Sequence, residues 1–288
     1  PYTLQYVGKI PYLYELKNIF LWGQGPILAT ISFLGVFYLI IHIIKKNKEK
    51  KWAQEFILIV FFLSYFFVVG KFAIGFMRYM LPLYPLLCLF GAIISYKLLI
   101  ILKQKFRYWK LVVFVFICSI LVWPLSFTNI YSKPNARVTA SQWIYENIPP
   151  STIIAREHWD DGLPLNASSY KILELPIYDM QIPEKEMEVY KKINEASYII
   201  IASNRLYVPL QRLALNCGKW NIPADRCPQN ANVYYQQLFN EDLGFKKVAE
   251  FSIYPTLEIG NWKLEINDSV ADESFTVYDH PKVMIFKK

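Results

Sequence analysis

Histidine, closely spaced cysteine and charge within the apolar stretches are what this sequence has least of. Three histidines occur in 288 residues, and the four cysteines form no Cys-x-x-Cys pair. Cysteine and histidine spacing therefore suggests no metal site. No Gly-x-Gly-x-x-Gly and no P-loop is present, so nucleotide binding has no basis in the sequence. Ionisable residues are almost missing from the long apolar runs, where a transporter would need them along its path. Acidic residues are scarce early on: the first 129 positions hold 3 of them against 14 Lys and Arg. The chain does not start with Met or with a signal-peptide pattern. Its opening, PYTLQYVGKIPYLYEL, reads as the middle of a loop. The expectation is a C-terminal piece of a longer membrane protein.

What the chain does have is apolar surface. Apolar residues make up 54% and aromatics 17%, above a typical soluble domain, and the excess is concentrated before residue 131. A helix crosses the hydrocarbon layer with ~20 residues, within about 17–25. On that measure four spans are expected, at about 26–44, 53–70, 79–102 and 111–130. Lys97 interrupts the third, where its long stem can snorkel. KKNKEKK (45–51) holds five lysines and KQKFRYWK (103–110) four basic residues, whereas the 71–78 loop holds Lys71 and Arg78. By the positive-inside rule the two dense loops face the cytoplasm. The first 24 residues, the 71–78 loop and residues 130–288 are then expected outside the cytoplasmic membrane of a multi-pass protein. Because the net positive charge belongs to membrane loops, it is no argument for nucleic acid.

Residues 130–288 read as one domain of helices alternating with β-rich runs. Helices are expected at 135–148, 183–196, around RLYVPLQRLAL and around ANVYYQQLF. Strands are expected at TIIAR (152–156), YIIIA (198–202) and FKKVAEFSIYP, with a terminal hairpin turning at Asp279-His280-Pro281. Such alternation predicts an α/β domain with a mostly parallel sheet. Ligands of such sheets sit beyond the carboxyl ends of strands. EHWDD (157–161) and SNR (203–205) both follow strands directly and are expected to share one edge.

Several residues carry candidate chemistry, each beside a plainer role. Arg78 and Tyr79 are an interfacial anchor, or Arg78 is a fixed cation for a phosphate, since its planar fork suits phosphate oxygens and stays charged. Glu157, His158, Trp159, Asp160 and Asp161 are a solvated acidic loop, or they grip sugar hydroxyls, hold a divalent cation or supply a general base. Asn204 and Arg205 join them if the edge is shared. Asp279 and His280 are turn residues, or they face the acidic loop. Cys217 and Cys227 are a disulfide in an oxidising exterior, or two unpaired thiols. No cofactor is required by these residues, and a divalent cation is the one candidate.

Taken in order, QYVGKIPYLYELKNIFLWGQGP, FMRYMLPLYP, ASQWIYENIPPSTIIAREHWDDGLP, SYIIIASNRLY and FTVYDHPKVMIF resemble the C-terminal half of bacterial phospholipid-carrier-dependent glycosyltransferases. These are similar to the protein O-mannosyltransferase and aminoarabinose-transferase superfamily, with the multi-helix GT-C fold. The resemblance runs over nearly the whole chain, and RYMLPLYP and WDDGLP with VYDHPKV are its most specific parts. It implies an inverting membrane enzyme that moves a sugar from a polyprenyl-phosphate donor to a glycan, lipid or protein acceptor outside the cytoplasmic membrane. It also implies a catalytic carboxylate in a first external loop, which these 288 residues do not contain, so the chain is not expected to act alone. On the same resemblance Arg78 is the residue beside the donor phosphate, with Tyr79 positioning it. The acidic loop, Asn204, Arg205, Asp279 and His280 become possible acceptor or sugar contacts. The competing expectation is a non-catalytic, membrane-anchored glycan-binding or assembly module.

Overall fold

The computed structural model describes residues 6–46 and 53–288. Most of KKNKEKK, together with Trp52, lies outside the described residues. In chain order the helices begin with α1 (Leu13–Asn18), followed by a π-helical turn, then α2 (Pro26–Lys46) and α3 (Ala53–Val69). A 3₁₀ segment, Met77–Leu83, leads into α4 (Tyr84–Lys105), and α5 (Trp109–Thr128) comes next. The remainder runs α6 (Ala136–Asn147), β1 (Ile153–Glu157), β2 (Lys171–Leu175), α7 (Pro183–Glu195), β3 (Tyr198–Ile201), α8 (Tyr207–Ala214) and α9 (Gln229–Phe239). It ends with β4 (Lys246–Phe251), β5 (Thr256–Ile259), β6 (Trp262–Glu265), α10 (Glu273–Thr276) and β7 (Val283–Lys287).

Two compact units result. A helical unit holds Lys9–Asn129 and Pro255–Asp272, and a sheet unit holds Ile130–Tyr254, Glu273–Lys288 and the described residues up to Gly8.

In the helical unit, three runs are long and apolar enough to cross a membrane, those containing α2, α4 and α5, as in a multi-pass membrane protein. The 17 residues of α3 fall short of that length. Leu39 on α2, Ile59 and Phe62 on α3, and Leu87 and Phe90 on α4 form the buried centre. α2 and α4 touch through small residues. A Cβ on Gly35 would stand 2.1 Å from the Phe90 carbonyl oxygen, and one on Gly91 would stand 3.1 Å from Ser32 Oγ. Close backbone approach of this kind is how apolar helices gain packing when lipid competes for their side chains. Gly35→Ala is therefore expected to push the helices apart and cost about 1–3 kcal/mol, seen as a lower melting temperature of the detergent-solubilised chain. An unchanged melt would mean that the crossing is not tight.

The sheet unit is three-layered. Its five strands run in the order β2-β1-β3-β7-β4. β2/β1 and β1/β3 are parallel, whereas β3/β7 and β7/β4 are antiparallel. The sheet is thus mixed, not the mostly parallel sheet expected from helix–strand alternation, because β7 reverses direction in its midst. Alternating side chains serve the two faces. Tyr198, Ile200, Val283 and Ile285 meet α6 through Ala140 and Ile144. Ile199, Ile201, Met284 and Phe286 pack with Val189 on α7, Leu210 on α8 and Tyr234 and Tyr235 on α9. The expected terminal hairpin does not form. FTVY enters the short helix α10 and a turn, held by Asn135 Nδ2, which donates to the carbonyls of Tyr278 and Asp279 at 3.1 and 3.0 Å. Cys217 and Cys227 are joined as a disulfide.

Candidate functional site

The carboxyl ends of β1 and β3 are neighbours, with Arg156 paired to Ile200. The loops that follow them therefore leave from one edge, and EHWDD meets SNR there. Ser203 Oγ lies 2.9 Å from each carboxylate oxygen of Asp160. Arg205 donates from Nε to Glu273 Oε1 at 3.0 Å and reaches the Trp159 carbonyl at 3.4 Å. Its other end comes 4.0 Å from Asp161 Oδ2, which Arg137 holds more closely at 2.7 Å. Trp159 adopts φ 79°, a left-handed backbone that non-glycine residues take up rarely. The residue is 40% exposed, with its ring edge-on to His158 at 4.9 Å. The Arg205 guanidinium also lies 5.7 Å from the ring of Tyr278, which is 61% exposed.

Below this edge sits Glu157, buried, with Tyr235 donating to its Oε1 at 2.6 Å. Burial pushes its carboxyl up to about 8 against the smaller opposing effect of that hydrogen bond, and nearby Asp160 adds to the rise. Glu157 is thus a neutral acid at pH 7. Burial likewise raises Asp160, opposed by hydrogen bonds from the Asp161 backbone and Ser203.

The other expected residues divide. The side chain of Asn204 accepts from Thr276 Oγ1 at 3.4 Å. His280 is buried edge-on to Phe275. The Asp279 carboxylate lies beside the Tyr131 hydroxyl. Tyr278, which sequence reasoning did not single out, is the residue of that turn whose ring stands against Arg205. Among the described residues no three His, Cys, Asp or Glu side chains converge as metal ligands.

The helical unit carries a second polar cluster. Lys9 Nζ and Glu15 Oε1 pair at 3.1 Å, both buried, and Tyr14 donates to Asp272. Burial raises the Glu15 carboxyl, with Lys9 opposing. The backbone of Gly75 closes on this pair: a Cβ there would stand 2.4 Å from Lys9 Nζ and 2.8 Å from Glu15 Oε1. Sequence reasoning missed these residues. The usable signal was that Glu15 is one of three acids among 129 residues. Three residues beyond Gly75, Arg78 is exposed, with its guanidinium 4.3 Å from the Phe76 ring. No ion pair holds it among the described residues. Tyr79 is half-buried and edge-on to Phe72 and Phe76, and its carbonyl accepts from Tyr65 at 2.8 Å.

Comparison with protein-family models, with curated proteins and with solved structures finds no match to this chain.

Proposed function

We propose that this chain works as part of a membrane glycosyltransferase that takes a sugar from a polyprenyl-phosphate donor and passes it to an acceptor outside the cytoplasmic membrane. The observation that carries the reading is Arg78: a guanidinium exposed where an apolar run begins, with no ion pair among the described residues. A phosphate at headgroup depth is the natural counter-ion for such a group, and the planar fork binds it in two places. Tyr79, held by its ring contacts, fixes the backbone from which Arg78 projects. In this reading the base that activates the acceptor belongs to the first external loop that the resemblance implies. α3 is the fourth span: at ~1.5 Å per residue its length is about 26 Å, near the lower limit for crossing. His42 Nδ1 on α2 meets Glu55 Oε2 on α3 at 3.5 Å, which supports the two helices running side by side. The lysine-rich loops then face the cytoplasm and the sheet unit faces outward.

A second reading, a glycan-binding module, has its own support in two exposed aromatic residues beside Arg205, which reaches the Trp159 carbonyl and the Tyr278 ring. One experiment separates the two. Full-length polypeptide in lipid nanodiscs is given polyprenyl-phosphate sugars labelled in the sugar. Transfer of label to an acceptor, with release of polyprenyl phosphate, is the expected result. Label that stays on the lipid while the protein retains free glycan would replace the first reading with the second.

A further inference from the structure

The β5–β6 hairpin belongs to the helical unit, although its residues lie far along the chain, between β4 and α10. Its register pairs Leu257 with Leu264 and Ile259 with Trp262, and it pairs Thr256 with Glu265 and Glu258 with Lys263. Directly paired residues share a face and successive residues alternate. One face is therefore entirely apolar, Leu257, Ile259, Trp262 and Leu264. The other is polar, with Lys263 and Glu265 ion-paired at 3.1 Å.

This hairpin lies against a membrane-spanning helix. Asn129, just past α5, donates from Nδ2 to the Thr256 carbonyl at 2.8 Å, which fixes the base of the hairpin at that end of the span. Further along, Trp262 and Leu264 close a cleft of about 310 Å³ with Pro26 and Leu28 of α2 and Ile120 and Trp123 of α5. Ile120 is eight residues short of the end of α5, about 12 Å along its axis at ~1.5 Å per residue. A four-residue strand covers a similar ~13 Å, so the hairpin runs down alongside the helix. The Trp123 ring is also tilted against that of Trp22, with ring centroids 6.5 Å apart. Trp22, Trp123 and Trp262 thus gather at one level, as tryptophans do where a bilayer meets water. At the tip, Ile259 and Trp262 are 63% and 51% exposed. On neighbouring turns of α5, Ile117, Leu121 and Leu125 are exposed as well.

We infer that the β5–β6 hairpin is an interfacial membrane anchor, with Ile259 and Trp262 seated in the lipid leaflet at the Asn129 end of α5 and Glu258 and Lys263 turned to the aqueous side. Its partner is the lipid of the membrane that the helices cross. The exposed apolar tip stands beside an apolar helix, and the opposite face carries the charged residues that suit headgroups and water. The inference rests on the membrane helices and is independent of glycosyl transfer.

Nitroxide labels at Ile259→Cys, Glu258→Cys and Lys263→Cys test it, each in the intact chain with Cys88→Ala and Cys118→Ala, in phosphatidylcholine–phosphatidylglycerol bilayers. The reading is the logarithm of the ratio of collisions with oxygen to collisions with a water-soluble nickel chelate. A positive value at 259 with negative values at 258 and 263 is expected. The last label repeats the polar-face measurement on the opposite strand, so one misfolded variant does not decide the outcome. A negative value at 259 overturns the inference, and so do positive values at all three positions.

Discussion

Glu157→Gln is expected to stabilise the sheet unit at pH 8 and to remove most of its pH dependence between pH 5 and pH 8. The argument starts from the carboxyl's two environments. Unfolded, it titrates near 4.5. Folded, it is buried below the sheet edge with Tyr235 as its hydrogen-bond donor, and it titrates at about 8. Across the window between those values the folded chain keeps a proton that the unfolded chain has released. Stability is therefore full below pH 4.5 and falls as pH rises, until the folded carboxyl also ionises near pH 8. One pH unit is worth ~1.36 kcal/mol per group, so the loss over the window is on the order of 5 kcal/mol. Glutamine keeps the oxygen that Tyr235 serves and cannot ionise, so the variant stays near the low-pH stability throughout. Pulse proteolysis of the detergent-solubilised chain in urea, at pH 5, 6.5 and 8, reads this directly. Parallel pH slopes in parent and variant would show that Glu157 does not carry the linkage.

The acid was legible in the sequence as part of EHWDD, but its role was not. Periodicity gave β1 and β3, and strands followed at once by polar residues placed 157–161 and 203–205 on one edge. That step needed no knowledge of the remaining strands. Burial of Glu157 depends on Tyr235, seventy-eight residues later, and no local pattern reports such a contact. The reversal of β7 was hidden for the same reason. VMIFK suits either strand direction, and its place between β3 and β4 is a long-range choice. FTVY has strong strand propensity yet makes a helical turn, because Asn135 and Asn204 supply hydrogen bonds to that turn from elsewhere in the unit. Local preference gives way when tertiary partners satisfy a different backbone. β2 and the β5–β6 hairpin were missed as well. Both are short, and the hairpin's alternation of Leu, Glu, Ile and Trp, Lys, Leu is a pattern that a closer search for period two would find. In the helical unit the apolar runs were legible because hydrophobic length alone defines them. The Lys9–Glu15 pair was not, since the backbone that closes on it, at Gly75, lies far along the chain.

If the proposed sugar transfer is the reaction, Arg78→Ala is expected to reduce it about 10²–10³-fold in the full-length polypeptide, the usual loss when one charge-stabilising group is removed from a transition state, ~2.7–4 kcal/mol. The size follows from when the charge appears. As the bond between sugar and phosphate breaks, negative charge builds on the phosphate oxygens, and a cation already in place lowers that state more than the intact donor. The loss should therefore fall mainly on kcat. Arg78→Lys separates charge from shape: it keeps the positive charge but presents a point, not a fork, and it should retain activity between that of the parent and Ala. Because Arg78 is exposed and its guanidinium rests on the Phe76 ring, neither substitution should disturb insertion, which protease protection of the sheet unit in sealed vesicles can check. The competing role for Arg78 is an anchor among headgroups. An anchor would make Lys equal to Arg, since an interfacial site asks for charge and a long stem alone. It would also leave kcat intact while lowering the amount of protein in the membrane. Transfer per inserted molecule thus decides between the two roles: a fall with Ala and partial rescue with Lys assigns Arg78 to the donor phosphate, and no change assigns it to the membrane surface.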